Sequence, residues 1–457
     1  LLRPPAALFS FLGILILVGL LYLLLAFYLL AYQREVLERE SHLILLGVLL
    51  ILGVGLGRVV TAIELGGRPE MASQVGYMVP VAASAMLIAI LLDSRLAVFC
   101  TVLLGLLVGI LSGGQFSFVA VAVVGGLAGI YSVSHLSQRT DLAKASLYII
   151  LADMAAIGGI GLIQGSAASV LAVGLLMGLA NGVFSSVLTI GSLPFLESAF
   201  GITSAAKLLE LANPNQPLLR RLLLEAPGTY HHSLLVANLA EAAADALGAD
   251  ALLARVASFY HDIGKLRRPY FFIENQLTAE NPHDKLTPSL STLIITAHIK
   301  DGLEMAREAK LPPVIRDVIA QHHGSSLVTY FYHKATAEGR GEAVPEAEFR
   351  YDSPKPRSKE AAIVMLADSV EASARSLQKP TPARLEGLVR RIIREKLEDG
   401  QLDECALTFQ ELDKIALAFT RSLSGIFHSR IEYPEAVLKE MERRKVRDAP
   451  ARKQSTG

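Results

Sequence analysis

Before Phe200 the chain carries seven apolar stretches, each about as long as a helix needs to cross a bilayer, and this pattern restricts the first half to a helical membrane bundle. A span takes about 20 mostly apolar residues, because lipid offers no water to satisfy backbone N–H and C=O groups. The stretches run from about Ala7 to Tyr32, Leu43 to Ile63, Tyr77 to Leu92, Leu96 to Leu111, Phe116 to Val133, Ala145 to Ile163 and Ser169 to Leu196. Gly113-Gly114 and Gly165-Ser166 suit tight turns, and Asp93-Ser94-Arg95 is a short polar connector, so successive helices are expected to lie antiparallel. An apolar fraction of 52% over 457 residues is high for a wholly soluble protein. The chain starts at Leu1, and its first apolar run lacks a small-residue cleavage site. That run therefore reads as a membrane helix in a chain expected to have lost something N-terminal, and not as a signal peptide.

Charge is divided between unlike halves: 43 basic and 43 acidic residues cancel overall, but most follow Phe200. Seven spans put the two ends on opposite sides of the membrane. The first, third and fifth connectors hold Arg34, Arg39, Arg95, Arg139 and Lys144, against chiefly Arg3 and Arg68 on the other side, which predicts an outside N-terminus and a cytoplasmic C-terminal half. Arg58 and Asp153 fall inside apolar stretches, where a charge calls for snorkelling, an interhelical polar partner or a ligand pocket. Cys100 and Cys405 are the two cysteines, so neither a disulfide framework nor a Cys-based zinc site can be built, and a reducing cytoplasm suits the second half.

Residues 1–200 thus read as a transmembrane domain, 201–226 as an amphipathic connector interrupted by Asn213-Pro214 and Pro217, 227–443 as a helical domain and 444–457 as a disordered tail. The connector either couples the bundle to the following domain or simply packs on that domain. Helical spacing covers 229–247, 250–263, 289–309, 312–323, 359–377, 381–397 and 408–427, and no strand set is evident, giving an all-α fold. Ala337 to Pro356, rich in Gly, Glu, Pro and Arg, reads as a surface loop.

Within the helical half His232, His261-Asp262, His298, His322-His323 and Asp368 each lie in or at the end of a predicted helix. Imidazole and carboxylate are the donors that first-row divalent metals take, and five histidines with two carboxylates exceed the needs of one ion. Two ions are expected, with Asp262 bridging them through its two oxygens. An isolated buried His is more often hydrogen-bonded core than a ligand, so the weight lies in the set and not in any one member. His231 points about 100° away from His232 on a helix, so only one of the two can enter the cluster.

The order His, His-Asp, His, His-His, Asp resembles the HD-domain phosphohydrolases. Residues 225–233 (EAPGTYHHS), 260–265 (YHDIGK), 268–276 (RPYFFIENQ), 281–284 (NPHD) and 321–324 (QHHG) are similar to seven-transmembrane HD proteins related to bacterial cyclic-di-AMP phosphodiesterases, as are 400–403 (GQLD) and 430–434 (RIEYP). The resemblance implies a seven-helix bundle followed by a cytoplasmic all-helical HD domain, in a multi-pass protein of the bacterial plasma membrane. It also implies metal ligation by His232 in place of His231, and by His261, Asp262, His298, His322, His323 and Asp368. Manganese or iron is the expected metal, with zinc open. The implied reaction is opening of cyclic-di-AMP to the linear dinucleotide. His283 is placed at the site entrance, and His333 and His428 are read as surface or capping residues.

Two cations would act on a phosphate and a shared water, with Asp262 in the catalytic centre. Lys265 could reach the phosphate as a fixed cation and Arg268 could add a bidentate contact, although both also suit a solvated helix end. Tyr330 and Tyr332, with Phe331 between them, could stack on a purine or close a hydrophobic patch. Three alternatives stay open: a cyclic-di-GMP or other nucleotide phosphohydrolase, although the Gly-Tyr-Pro signature of that class is absent after His323; a non-catalytic nucleotide receptor, against which the full ligand set speaks; and a transporter, for which intramembrane charge is scarce. Expected partners are the cyclic dinucleotide, the lipid bilayer, a second copy in a homodimer and an unidentified extracellular or membrane ligand, with no nucleic-acid polymer.

Overall fold

A computed structural model describes residues 4–63, 73–134, 140–276, 280–338, 344–377 and 380–426. Two units emerge by internal contact: Leu1–Glu225 with Asp301–Ile319, and Ala226–Lys300 with Ala320–Gly457. The expected tail 444–457, the 430–434 motif and His428 lie outside the described residues.

The first unit contains the helices Pro4–Tyr32, Glu40–Thr61, Val81–Leu91, Ser94–Leu111, Phe116–Val133, Thr140–Gln164 and Ala168–Phe200. All seven apolar runs are thus helical, and among the described residues six of these helices are long and apolar enough to cross a membrane. The third expected span is shorter than its apolar run. Val75–Met78 forms a 3-10 turn, Val79 is extended, and the α-helix starts only after Pro80, because proline disfavours helical backbone at the residue before it. The resulting 11-residue helix reaches roughly half of a ~30 Å hydrocarbon core. Val81 to Ile88 and Leu91 are all buried, so the irregular backbone at its entry meets protein, the condition under which it survives at membrane depth.

The two intramembrane charges separate by environment. Asp153 is fully buried and its Oδ2 accepts from Asn181 Nδ2 at 2.8 Å, an interhelical polar pair, whereas Arg58 is exposed in the last turn of its helix. In the connector, Ala205–Leu211 and Pro217–Glu225 are the helical pieces, the first capped by Ser204 through Lys207 N.

In the second unit the helix Pro227–Leu247 packs against Ala251–Tyr260, Lys359–Arg375 and Phe409–Ile426. Small residues make this close packing possible: Ala237, Ala240, Ala243 and Ala244 are buried on the first helix, and Ala361, Ala362 and Ala367 on the third. Local chemistry sets the helix ends, with Asp250 accepting from Leu253 N, Ser358 from Ala361 N and Thr381 from Arg384 N. Gly248, at φ +69°, stops the first of these helices. No strand occurs among the described residues beyond an isolated bridge between Leu327 and Arg350. The segment read as the loop Ala337 to Pro356 is partly ordered: the helix Thr329–Glu338 runs into it, and Glu346–Phe349 forms a 3-10 turn that buries Phe349.

A candidate metal centre and its cavity

The side chains of His232, His261, Asp262, His298, His322, His323 and Asp368 converge in the second unit, as the sequence predicts. Their donor atoms fall into two groups, Asp262 with His298, His322 and His323, and His232 with His261 and Asp368. Within each group the donors lie within 4.8 Å of one another. His232 is buried while its neighbour His231 is exposed, so the helix itself selects between them.

Asp262 stands between the two groups. Its Oδ1 lies 3.4 Å from His298 Nε2 and 3.7 Å from His322 Nε2, whereas its Oδ2 lies 3.3 Å from His261 Nε2 and 3.6 Å from His232 Nε2. In three of the rings Nδ1 is engaged by a hydrogen bond, which turns Nε2 toward the cluster, and His232 Nε2 lies 3.0 Å from Asp368 Oδ1. Nδ1 of His261 donates to Ser258 O at 2.7 Å, Nδ1 of His298 to Ile295 O at 2.6 Å, and Nδ1 of His232 to Glu371 Oε2 at 2.5 Å. His261 Nε2 and Asp262 Oδ1 are nevertheless buried with no hydrogen-bond partner. Buried donors left without a hydrogen-bond partner, all nitrogen or oxygen, fit divalent cations.

The electrostatics agree. Burial alone would neutralise Asp262, but the Lys265 ammonium, 2.7 Å from its Oδ2, and His261 hold its carboxyl well below the usual range. Asp368 is likewise held down against burial by His232 and His261. Burial works against a charged His261, yet Asp262 and Asp368 lift it to about 10, and Asp368 and Glu371 raise His232 against the same penalty. Burial pushes His298 down to about 4 and holds His323 well below the ordinary histidine range, with His322 acting in the same direction on both.

Residues around the donors explain the recurring motifs. A Cβ on Gly228 would meet Glu274 O at 1.9 Å, so only glycine lets the start of its helix touch that turn. Thr229 N and Oγ1 then bond Asn275 Oδ1 at 3.1 Å and Glu274 Oε1 at 3.0 Å, and Glu274 accepts from Lys265 Nζ at 2.9 Å. On the other side Gly324 has φ +54°, and a Cβ there would stand 2.3 Å from Gln401 Oε1. Gln401, fully buried, accepts from Ser325 N at 2.9 Å and so fixes the turn that follows His322-His323.

A cavity of about 530 Å³ opens onto the cluster, and Lys265 is on its wall together with His232, His298, His323 and Asp368. Arg268, Tyr330 and Tyr332 are not among its lining residues. Arg268 is exposed beyond the 3-10 turn Ile263–Arg267, and Tyr330 is 68% exposed because its helix turns Phe331 inward instead, while Tyr332 packs on Phe349 at 5.8 Å. His283 is no entrance residue: it is buried, bonds Phe271 O at 2.9 Å and sits between the rings of Phe271 and Phe331. His333 is exposed.

Four side chains at the site escape the sequence reading. Glu371 orients His232, Arg375 donates to Glu371 Oε1 at 2.6 Å, Glu274 pairs with Lys265, and Tyr351 stacks on His323 with ring centroids 4.3 Å apart. Glu371 lies three residues after Asp368 on one helix, a spacing that shares a face and could have revealed it. Nothing in the sequence around Tyr351 marks it.

Residues 8–204 match the family described as a 7TM receptor with intracellular HD hydrolase, and residues 229–373 match the HD domain family. A Bacillus subtilis protein named cyclic-di-AMP phosphodiesterase PgpH is 45% identical over 93% of this chain and 60% of its own length. A Listeria monocytogenes protein of the same name is 40% identical over 79% of this chain and 51% of its own length. The chain therefore spans between half and two thirds of these curated relatives. A crystal structure of the L. monocytogenes PgpH HD domain in complex with cyclic-di-AMP is 51% identical, covers 47% of this chain and 100% of its own, and superposes with a TM-score of 0.46.

Proposed function

Because the chain belongs to the family of seven-transmembrane receptors with an intracellular HD hydrolase, we propose that it is a multi-pass membrane phosphodiesterase that uses two divalent cations to open cyclic-di-AMP to linear pApA. The observation that carries this reading is the placement of Asp262, whose two carboxylate oxygens face two separate sets of imidazole nitrogens. One carboxylate so placed suits a pair of cations and is more than a single ion needs. His298, His322 and His323 would hold one cation, and His232, His261 and Asp368 the other. When bound, such a pair supplies Lewis acidity toward phosphate oxygens and a nucleophile at neutral pH. Manganese or iron suits the donor set best, with zinc also compatible.

The chain's own residues do the rest. Lys265 keeps Asp262 ionised and places a positive charge on the cavity wall next to the cluster, where a phosphate would lie. Glu371 and the carbonyls of Ser258 and Ile295 engage Nδ1 of three imidazoles and so orient Nε2 toward the cluster. The excess of Arg and Lys in the first, third and fifth connectors supports a cytoplasmic HD unit, where a bacterial second messenger would be met.

The test is hydrolysis of cyclic-di-AMP and cyclic-di-GMP side by side by the full chain in detergent, with added Mn²⁺ or Fe²⁺ and an Asp262→Ala control. Asp262-dependent formation of pApA is expected. Preference for cyclic-di-GMP would overturn the substrate and leave the two-metal chemistry standing. Two bound metals without turnover of either would favour a receptor.

A further inference from the structure

Lys265 and Arg375 are the two ammonium or guanidinium groups on the cavity wall among the described residues. Lys265 is committed, with Nζ 2.7 Å from Asp262 and 2.9 Å from Glu274. Arg375 spends only Nε, on Glu371 at 2.6 Å, and its two terminal nitrogens make no hydrogen bond among the described residues. It stands on the last turn of the helix that carries Asp368 and Glu371, two hydrogen bonds away from the cluster through Glu371 and His232. The guanidinium is partly exposed, so its charge is held in place by Glu371 without being fully neutralised by burial. A planar fork with both outer nitrogens free is the group that takes a phosphate in bidentate fashion.

The surrounding wall is apolar. Ile273 is 77% exposed at the cavity on its short 3-10 turn, with Phe272 and Ile295 beside it. An isoleucine left that bare beside a cavity offers a flat apolar contact to a ligand face, such as a nucleobase. Candidate metal donors, apolar side chains and a second, separate cation therefore line one cavity.

We infer that Arg375 is the anchor for a second phosphate, so that the site selects ligands carrying two phosphates one nucleoside apart over those carrying one. The inference rests on the phosphodiesterase reading for the first phosphate, which the cation cluster would hold. It assigns Arg375 a contact with the substrate and leaves the chemistry to the cluster. A cyclic dinucleotide meets the requirement because its ring places a second phosphodiester one nucleoside from the first. A single phosphodiester does not.

The test uses two probes that contain no phosphodiester to cleave: adenosine 3′,5′-bisphosphate, with two phosphates on one nucleoside, and adenosine 5′-monophosphate, with one. Their affinities for the Mn²⁺-loaded full chain in detergent are measured by calorimetry for the native protein, Arg375→Gln and Arg375→Lys. The native protein is expected to prefer the bisphosphate by about 10- to 100-fold, the range a charge-assisted bidentate contact supports. In Arg375→Gln the ratio should fall to within about threefold of one, while in Arg375→Lys, which keeps the charge but not the planar fork, part of the preference should survive. A native protein without the preference, an Arg375→Gln protein that keeps it, or equal losses for both probes in Arg375→Gln would each overturn the inference, the last by showing that Arg375 acts only through Glu371 and His232. A protein that shows the preference yet opens no cyclic dinucleotide would sink the proposed reaction alone. One that opens cyclic-di-AMP without the preference would sink the second-phosphate anchor alone.

Discussion

If the cluster holds the two cations proposed, replacing Glu371 with glutamine should weaken one of them and spare the other. Glu371 is buried, and its two carboxylate oxygens accept from two different donors, His232 Nδ1 at 2.5 Å and Arg375 Nε at 2.6 Å. Glutamine has one carbonyl oxygen and an NH₂ that can only donate, so it cannot serve both. Either His232 loses the partner that fixes its tautomer, or the arginine is left facing a donor. A hydrogen bond to a charged group contributes about 1.5–3 kcal/mol, which corresponds to roughly 10- to 150-fold in binding. That range agrees with the 10- to 100-fold typical of groups that orient a metal-bound histidine. Glu371 touches His232 and none of the donors in the Asp262, His298, His322 and His323 group, so the loss should fall on the other cation. Chelator competition with Mn²⁺ on the full chain would show a two-step isotherm with one step displaced. Equal weakening of both steps, or no change in either, would refute the assignment of Glu371 to a single ion.

Three further outcomes follow from the same geometry. Gln401→Ala removes the acceptor for Ser325 N behind His322-His323, costing about 1–3 kcal/mol, and the displaced isotherm step should be the complementary one; a shift of the His232 step would contradict the grouping. Gly228→Ala drives a methyl to 1.9 Å from Glu274 O, and the resulting displacement should destabilise the second unit by about 1–3 kcal/mol, seen as a lower melting temperature; an unchanged melt would mean that the turn yields freely. Asp262 and Asp368 raise the folded-state pKa of His261 against burial to about 10, so at neutral pH it holds a proton that a cation must displace. Metal affinity should therefore rise with pH from neutrality toward 10, and Mn²⁺ added to a weakly buffered sample should acidify it; uptake without proton release would count against the protonated cluster.

The donor set was legible in the sequence because few residue types ligate hard divalent metals and because the spacing matched a known family pattern. The groups that tune the donors were harder to read. Glu371 is one of many helical glutamates, and only knowledge that Asp368 faces inward gives the residue three positions later a meaning. Tyr351 follows a Gly-rich, charged segment whose composition signals loop, and its stacking on His323 is set by tertiary packing alone. Tyr330 and Tyr332 show the opposite failure: aromatic residues near a motif suggested base stacking, but the helix Thr329–Glu338 rotates Phe331 to the interior and leaves its neighbours outside the cavity lining. In the membrane half, hydropathy located the seven long apolar helices described but not the length of Val81–Leu91, since an average over apolar residues does not register the break at Pro80.

The adjacent pairs make a final physical point. On a continuous α-helix two neighbouring side chains diverge by about 100°, so a helical His-Asp or His-His could not aim both members into one site. Neither pair stays on a continuous helix. His261 caps the helix Ala251–Tyr260, and Asp262 already leaves helical geometry at φ −107°, ψ 15°, before the 3-10 turn Ile263–Arg267. His322 and His323 follow the end of Pro313–Gln321 and stop at Gly324, with ring centroids 4.2 Å apart. The single candidate donors His232, His298 and Asp368 sit within helices, where one residue per turn can face the site. The ends of two helices thus supply what their interiors cannot, and a change that lengthened the helix past Tyr260 would pull Asp262 away from its place between the two groups of donors even as it strengthened local structure.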